Sequence, residues 1–202
     1  MTYSLFVERS VGTQSLALAD DSGRVVRETV LDGADCRSGD WTARAVDFAA
    51  GAELSGIVCG TGPGSFAGVR AALAFAKGWA IGSGGAALGI PSPCAFARSG
   101  RKTAVVGDAR RGTFWVALYD GFSQAGEIKA VGGDALAASV PEDFAVFTPD
   151  AGRIGETLSR VFGERYAGGA DPLAGDLARA AAANPSLVVR DPLPVYLHPA
   201  VR

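Results

Sequence analysis

Hydrophobic and small or polar positions alternate at the start of the chain, with Leu5 and Val7, then Leu16 and Leu18, standing two apart. A period of two predicts strands, and the turn residues Asp20-Asp21-Ser22-Gly23 lead into a third, Arg24 to Val30. The period then changes. Trp41, Ala45, Phe48 and Ala49 fall at i, i+4, i+7 and i+8, one face of a helix that Ser38 or Asp40 can cap. Ile57-Val58-Cys59 predicts a short buried strand running into Gly60-Thr61-Gly62-Pro63-Gly64-Ser65. A second helix follows from Phe66 to about Ile81, ended by the glycines of 82–85, with a strand from Ala86 to Ile90. The second half repeats the order. Strands are expected at Thr103–Gly107, Thr113–Tyr119, Glu127–Val131 and Phe144–Phe147, with helices at Asp134–Ser139, Gly152–Phe162 and Asp176–Ala183. Gly168 to Pro172 reads as a loop. The economical organisation is an α/β protein of two tandem β-β-β-α-β-α lobes, 1–99 and a smaller 100–202.

Composition narrows the function classes. With 48% hydrophobic and 20% charged residues in 202, the chain has a sizeable core to bury and is not of the disordered class. Nineteen Lys and Arg against 21 Asp and Glu disfavour autonomous nucleic-acid binding. The charge is unevenly placed, however. Between Glu53 and Asp108 the only charged residues are Arg70, Lys77, Arg98, Arg101 and Lys102, which predicts a cationic face. Cys36, Cys59 and Cys94 are odd in number and far apart, and His198 is the single histidine, so neither a disulfide framework nor a Cys/His zinc site is expected. Met1-Thr2-Tyr3-Ser4 lacks the basic start of a secretory signal, and Ala71 to Ile81 is short and interrupted by Lys77. The expected location is the cytoplasm, without membrane contact.

Gly62-Pro63-Gly64-Ser65-Phe66-Ala67 satisfies G-x-G-x-x-G/A between a strand and a helix. Amides at a helix N-terminus can hold a phosphate, so Gly62, Gly64 and Ser65 are candidate phosphate or nucleotide contacts. The other account is a tight strand-to-helix turn. No acidic residue follows at ribose-binding spacing and no Gly-Lys-Ser/Thr occurs, which argues against dinucleotide and Walker loops. The helix after the loop carries apolar residues on two sides, Phe66, Val69, Leu73, Ala76 and Ala80 on one and Ala72, Phe75 and Trp79 on another. An ordinary surface helix shows one apolar face. Either this helix is sandwiched within its own chain, or one side is a partner interface rimmed by Arg70 and Lys77. Asp108-Ala109-Arg110-Arg111-Gly112 reads as a hairpin turn whose Asp and Arg satisfy backbone or each other, rather than an anion site. Glu8, at a strand end but followed by Arg9, makes a poor magnesium site because the guanidinium competes for the carboxylate. Ser65 lacks a histidine partner for a hydrolase triad.

The run Gly62-Pro63-Gly64-Ser65-Phe66-Ala67-Gly68-Val69-Arg70, with Ala76-Lys77-Gly78 and Gly89-Ile90-Pro91 after it, resembles the signature of the TsaB (YeaZ) family. Asp108 to Tyr119 is similar to that family's second signature, and Pro194-Val195-Tyr196-Leu197 to its closing motif. The resemblance implies an actin-like ATPase (ASKHA, ribonuclease H-like) fold of two related lobes. It also implies a non-catalytic subunit of the machinery that places threonylcarbamoyl on N6 of the adenosine beside the anticodon, in tRNAs reading codons that begin with A. In that family TsaD, itself an M22 glycopeptidase-like protein, performs the transfer. TsaB binds TsaD through first-lobe helices, TsaE joins as an ATPase, and TsaB alone forms a homodimer. Carried onto this chain, the interface comprises Trp41, Ala45, Phe48, Phe66, Val69, Arg70, Leu73 and Lys77. tRNA is touched only indirectly. No intrinsic cofactor or metal is implied, with ATP or ADP at the complex interface as the one nucleotide alternative. Two departures stand out: Val7-Glu8-Arg9-Ser10 replaces the usual I-D-T-S strand end, and Cys36 to Trp41 replaces a His-Ser helix start. A nucleotide-binding enzyme using the glycine loop, or a homodimeric scaffold with other partners, are the alternatives.

Overall fold

The computed structural model describes residues 1–31 and 40–197, so Cys36, the Ser38 cap and His198 lie outside the described residues. The first half forms β1 (Tyr3–Glu8), β2 (Gln14–Asp20), β3 (Val25–Leu31), α1 (Trp41–Ala49), β4 (Leu54–Gly60), α2 (Phe66–Ser83) and β5 (Ala86–Ile90). The second forms β6 (Lys102–Arg110), β7 (Thr113–Asp120), β8 (Ser123–Gln124), β9 (Lys129–Gly132), β10 (Ala145–Thr148), α3 (Ala151–Phe162) and β11 (Tyr166–Gly169). The chain ends with α4 (Ala174–Ala183) and β12 (Val189–Arg190).

One sheet has the order β12-β5-β4-β1-β2-β3, the other β11-β10-β6-β7-β8 with β9 also on β7. In the first, β1 pairs antiparallel with β2 and β2 with β3, while β4 lies parallel to both β1 and β5. The second sheet repeats this pattern: β6 is antiparallel to β7, and β10 is parallel to both β6 and β11. The order and directions 3-2-1-4-5, present twice, are those of the ribonuclease H-like lobes of actin-like ATPase folds. The fold class is therefore α/β of the duplicated kind expected from the element order.

In the first unit the pleat sorts the residues of β1 and β2 between two faces, and those of β2 by size. Leu5, Val7, Leu16 and Leu18 point to one face, where Trp41 and Ala45 of α1 and Val69, Leu73 and Ala76 of α2 close the core. The alternating residues Ser15, Ala17 and Ala19 are small and buried on the other face, which the alanine-rich α4 covers. Small residues on both sides let the helix approach closely. The Ser15 hydroxyl accepts from the Ala174 amide at 2.8 Å and Glu28 from the Gly175 amide at 2.7 Å.

That return of the chain corrects the expected division at 99/100. One compact unit comprises Met1–Ala95 with Pro172–Val195, the other Phe96–Asp171 with the segment beginning at Tyr196. Three local expectations also change. Residues 134–139 form two short 3-10 turns instead of a helix. Asp40 has helical torsions and makes no side-chain cap. Tyr166–Gly169 is a strand on β10 where a loop was expected to begin at Gly168. Gly169 is needed there because a Cβ would collide with that of Ala151 at the start of α3, so a close approach looked like a loop in sequence. No helix among the described residues is long and apolar enough to cross a membrane.

Candidate functional site

The glycine loop sits where β4 hands over to α2. Gly62 has φ +83°, a torsion that a side chain makes costly, and its peptide bond to Pro63 is cis. Amides in both limbs of the loop have partners within the chain. The Gly62 amide donates to Ser92 Oγ at 3.1 Å, and the Ser65 amide to the Ser10 carbonyl at 2.6 Å. Ser65 caps α2, its Oγ accepting from the Gly68 amide at 3.1 Å. A Cβ on Gly64 would strike the backbone of Ser10, and one on Gly68 the carbonyl of Arg9. Of the candidate phosphate contacts, Gly64 and Ser65 thus pack on the segment after β1 and Gly62 is tied to Ser92, as in a tight strand-to-helix turn. At its far end α2 stops on Gly84, whose φ of +73° makes the left-handed cap.

Behind the loop the strand-end residues Glu8, Arg9 and Ser10, weighed in sequence only as a metal or phosphate site, form a buried polar cluster. One carboxylate oxygen of Glu8 accepts from the Ser10 amide, while Oε2 lies beside Gly60 and the Ser92 hydroxyl, so closely that a Cβ on Gly60 would meet both. Burial raises the Glu8 carboxyl above its ordinary value, and the polar neighbours Ser10 and Ser92 offset only part of that. Arg9 lies over the Trp41 ring at 3.9 Å. The guanidinium is thus placed against the indole of α1, where the sequence reading had it competing for the Glu8 carboxylate. The thiols of Cys59 and Cys94 are pushed up by burial and by Glu8, which makes them inert packing groups.

The outward face of α2 is the second feature. Trp41, Ala45, Val69 and Leu73 were expected to line an interface, but they are buried against the sheet, so that part of the assignment is corrected. Phe48 is half-buried. Phe66, Arg70 and Lys77 remain on the surface, joined by Ala74, Gly78 and Ile81. Phe66 is 61% exposed and Ile81 87%, and the Arg70 guanidinium stacks over Phe66 at 4.5 Å. Steps of three and four from Phe66 through Arg70, Ala74, Lys77 and Ile81 put these on one line, a signal present in the sequence. The buried side, in contrast, is Val69, Ala72, Leu73 and Ala76. Phe75 and Trp79 stand between the two, and with Val46, Ala49 and Leu54 they line an apolar groove of about 340 Å³. Trp41 meets Phe75 edge-on at 5.2 Å and fixes α1 against α2.

In the second unit the Asp108–Gly112 hairpin bears out the structural reading. Asp108 accepts from its own hairpin's Arg110 amide at 2.7 Å and from Arg153 Nε at 3.0 Å, and its amide donates to Asp150 at 2.8 Å. Phe114, Trp115 and Tyr119 are buried strand residues. Among the described residues no three His, Cys, Asp or Glu side chains are grouped to hold a metal.

Residues 45–140 match the model of the family described as TsaD, tRNA N6-adenosine threonylcarbamoyltransferase. No curated protein matches. A solved structure of an uncharacterized protein with similarity to peptidase YeaZ, from Pseudomonas aeruginosa, superposes with a TM-score of 0.76 at 21% identity, covering 98% of this chain and all of that one. YeaZ from Pseudomonas aeruginosa gives 0.71 at 24%, with the same coverage. The chain has the YeaZ fold over nearly its whole length, as the signature residues implied.

Proposed function

We propose that this chain is a TsaB-type, non-catalytic subunit that binds a TsaD-like threonylcarbamoyltransferase and supports tRNA modification through it. The observation that carries this reading is the outer face of α2. An 18-residue helix that leaves Phe66, Ile81 and the small residues Ala74 and Gly78 in water, edged by Arg70 and Lys77, suits close helix-to-helix docking. The adjoining groove under Val46 and Trp79 offers a socket for an apolar side chain of the partner. The family match from residue 45 takes in the second half of α1 and all of α2. A TsaE-like ATPase would join through the catalytic subunit, and tRNA would be met only there. The chain's own copy would occupy the same face when the partner is absent. A nucleotide-binding enzyme is the weaker reading, because the glycine-loop amides at Gly62, Ser65 and Gly68 already have partners within the chain.

The test is co-purification with the TsaD-like protein of the same organism, followed by a threonylcarbamoylation assay with and without this chain. Arg70→Glu and Ile81→Asp should leave the fold intact and weaken the complex at least about tenfold, a loss of about 1.4 kcal/mol. Leu73→Asp, which buries a charge in the core, should instead fail to fold. Folded Arg70→Glu and Ile81→Asp variants that bind as wild type, or full modification activity without this chain, would refute the proposal.

A further inference from the structure

A buried carboxyl with no role in the docking face still connects to it. Glu8 ends β1, and two routes lead from it to the two limbs of the glycine loop. On one, Glu8 accepts from the Ser10 amide, and the Ser10 carbonyl accepts from the amide of Ser65, the residue that caps α2. On the other, Glu8 Oε2 faces the Ser92 hydroxyl, which accepts from the Gly62 amide, while the Ser92 amide donates back to the Gly62 carbonyl at 3.1 Å. Oε2 makes no hydrogen bond of ordinary geometry. A neutral acid accepts at one oxygen and donates from the other, so it meets the Ser10 amide and Ser92 Oγ without placing a charge in the core.

We propose that the buried Glu8 carboxyl positions the start of α2, holding both limbs of the glycine loop through Ser10 and Ser92, so that its ionisation loosens the loop and the Phe66–Arg70 end of the docking face. The functional half of this inference rests on the docking reading above; the structural half does not. The ionisable groups around Glu8 are Arg9, held over Trp41, the thiols Cys59 of β4 and Cys94, and Asp176 of α4, whose charge acts on Cys94. Burial sets the direction of the response, since the folded-state value of Glu8 lies above the unfolded one. Between the two values the folded chain binds more protons, so this contribution is complete at low pH and is lost as pH rises through the folded value.

The experiment is amide hydrogen exchange of the full chain in steps from pH 5 to 9, corrected for intrinsic rates. The amides of Gly62, Ser65 and Gly68 are followed against those of β6 as an internal reference. Opening of the loop should increase with pH in the wild type, by up to about tenfold per pH unit over the titration. Glu8→Gln, which is neutral at every pH, should abolish that slope. Ser92→Ala should expose the Gly62 amide while leaving Ser65 protected. A wild-type loop whose opening is independent of pH overturns the proposal, and so does an unchanged slope in Glu8→Gln. If Glu8→Gln does not fold, the wild-type slope and the Ser92→Ala pattern decide. A pH-sensitive loop in a chain that binds no TsaD-like partner at any pH would sink the docking reading and leave the role of Glu8 standing.

Discussion

Two glycines on one helix have opposite meanings. Gly68 and Gly78 both lie in α2, ten residues apart by number, and sequence alone gives each the same helix-weakening tendency. At Gly68 a Cβ would press on the Arg9 carbonyl, which is backbone and cannot rotate away. At Gly78 nothing lies within contact distance and the residue faces solvent. Gly68→Ala should therefore destabilise the first unit by about 1–3 kcal/mol through overpacking. Gly78→Ala should stabilise it by about 1 kcal/mol through helix propensity. Urea denaturation checks both signs. The same contrast shows what the sequence could reveal about the site. Periodicity found two apolar sides on this helix and set Arg70 and Lys77 apart from both, and the two are exposed. It could not say that Val69 and Leu73 face the sheet, because both sides are apolar and only the placement of Trp41 and the sheet chooses between them. The burial of Glu8 stayed hidden for a different reason: a single acidic residue at a strand end gives no hint that its surroundings are dry.

Elements were legible where local chemistry agrees with the fold. α2 begins on a serine cap and ends on a left-handed glycine, both readable from residues 65 and 84. β1 to β3 were readable from alternation and one turn. Asp40 failed as a cap, since its torsions continue the helix and its side chain makes no capping bond. β11 and β12 were missed because each is short and owes its conformation to pairing, β11 on β10 and β12 on β5, a tertiary influence on segments of weak local preference. The Ser65 cap gives an element-scale prediction. Ser65→Ala removes the acceptor of the Gly68 amide and should cost about 1 kcal/mol, with faster hydrogen exchange confined to the first turn of α2. Ser65→Asp retains an acceptor and places negative charge at the helix start, so it should keep the stability. Equal exchange in Ser65→Ala and wild type would mean that the Ser65-to-Ser10 backbone bond alone fixes where α2 begins.

For the whole molecule, duplication was legible as a repeated order of elements, whereas the path of the chain between its units was not. Nothing in residues 172–195 announces that they belong with the first sheet: an alanine-rich helix suits many surfaces. The match lies in complementary size, which one sequence does not display. Ala17 and Ala19 are bare enough for α4 to sit close, Leu177 of α4 is fully buried, and Gly23 is pressed by Ala182, where a Cβ would clash. The helix start is fixed by Ser15 and Glu28, residues of β2 and β3. A fragment of residues 1–99 would therefore expose Phe6 of β1 and the small-residue face of β2 to water and leave the Ser15 and Glu28 partners unmet. It should lack the cooperative unfolding transition of the intact protein. Joining residues 172–195 to that fragment through a flexible Gly/Ser linker should restore the transition, because Ser15, Glu28 and the sheet face regain their partners within one unit. Circular dichroism and dispersed amide resonances read the difference. A stably folded 1–99 fragment would show that α1 and α2 alone hold the sheet, and that α4 only covers a face already formed.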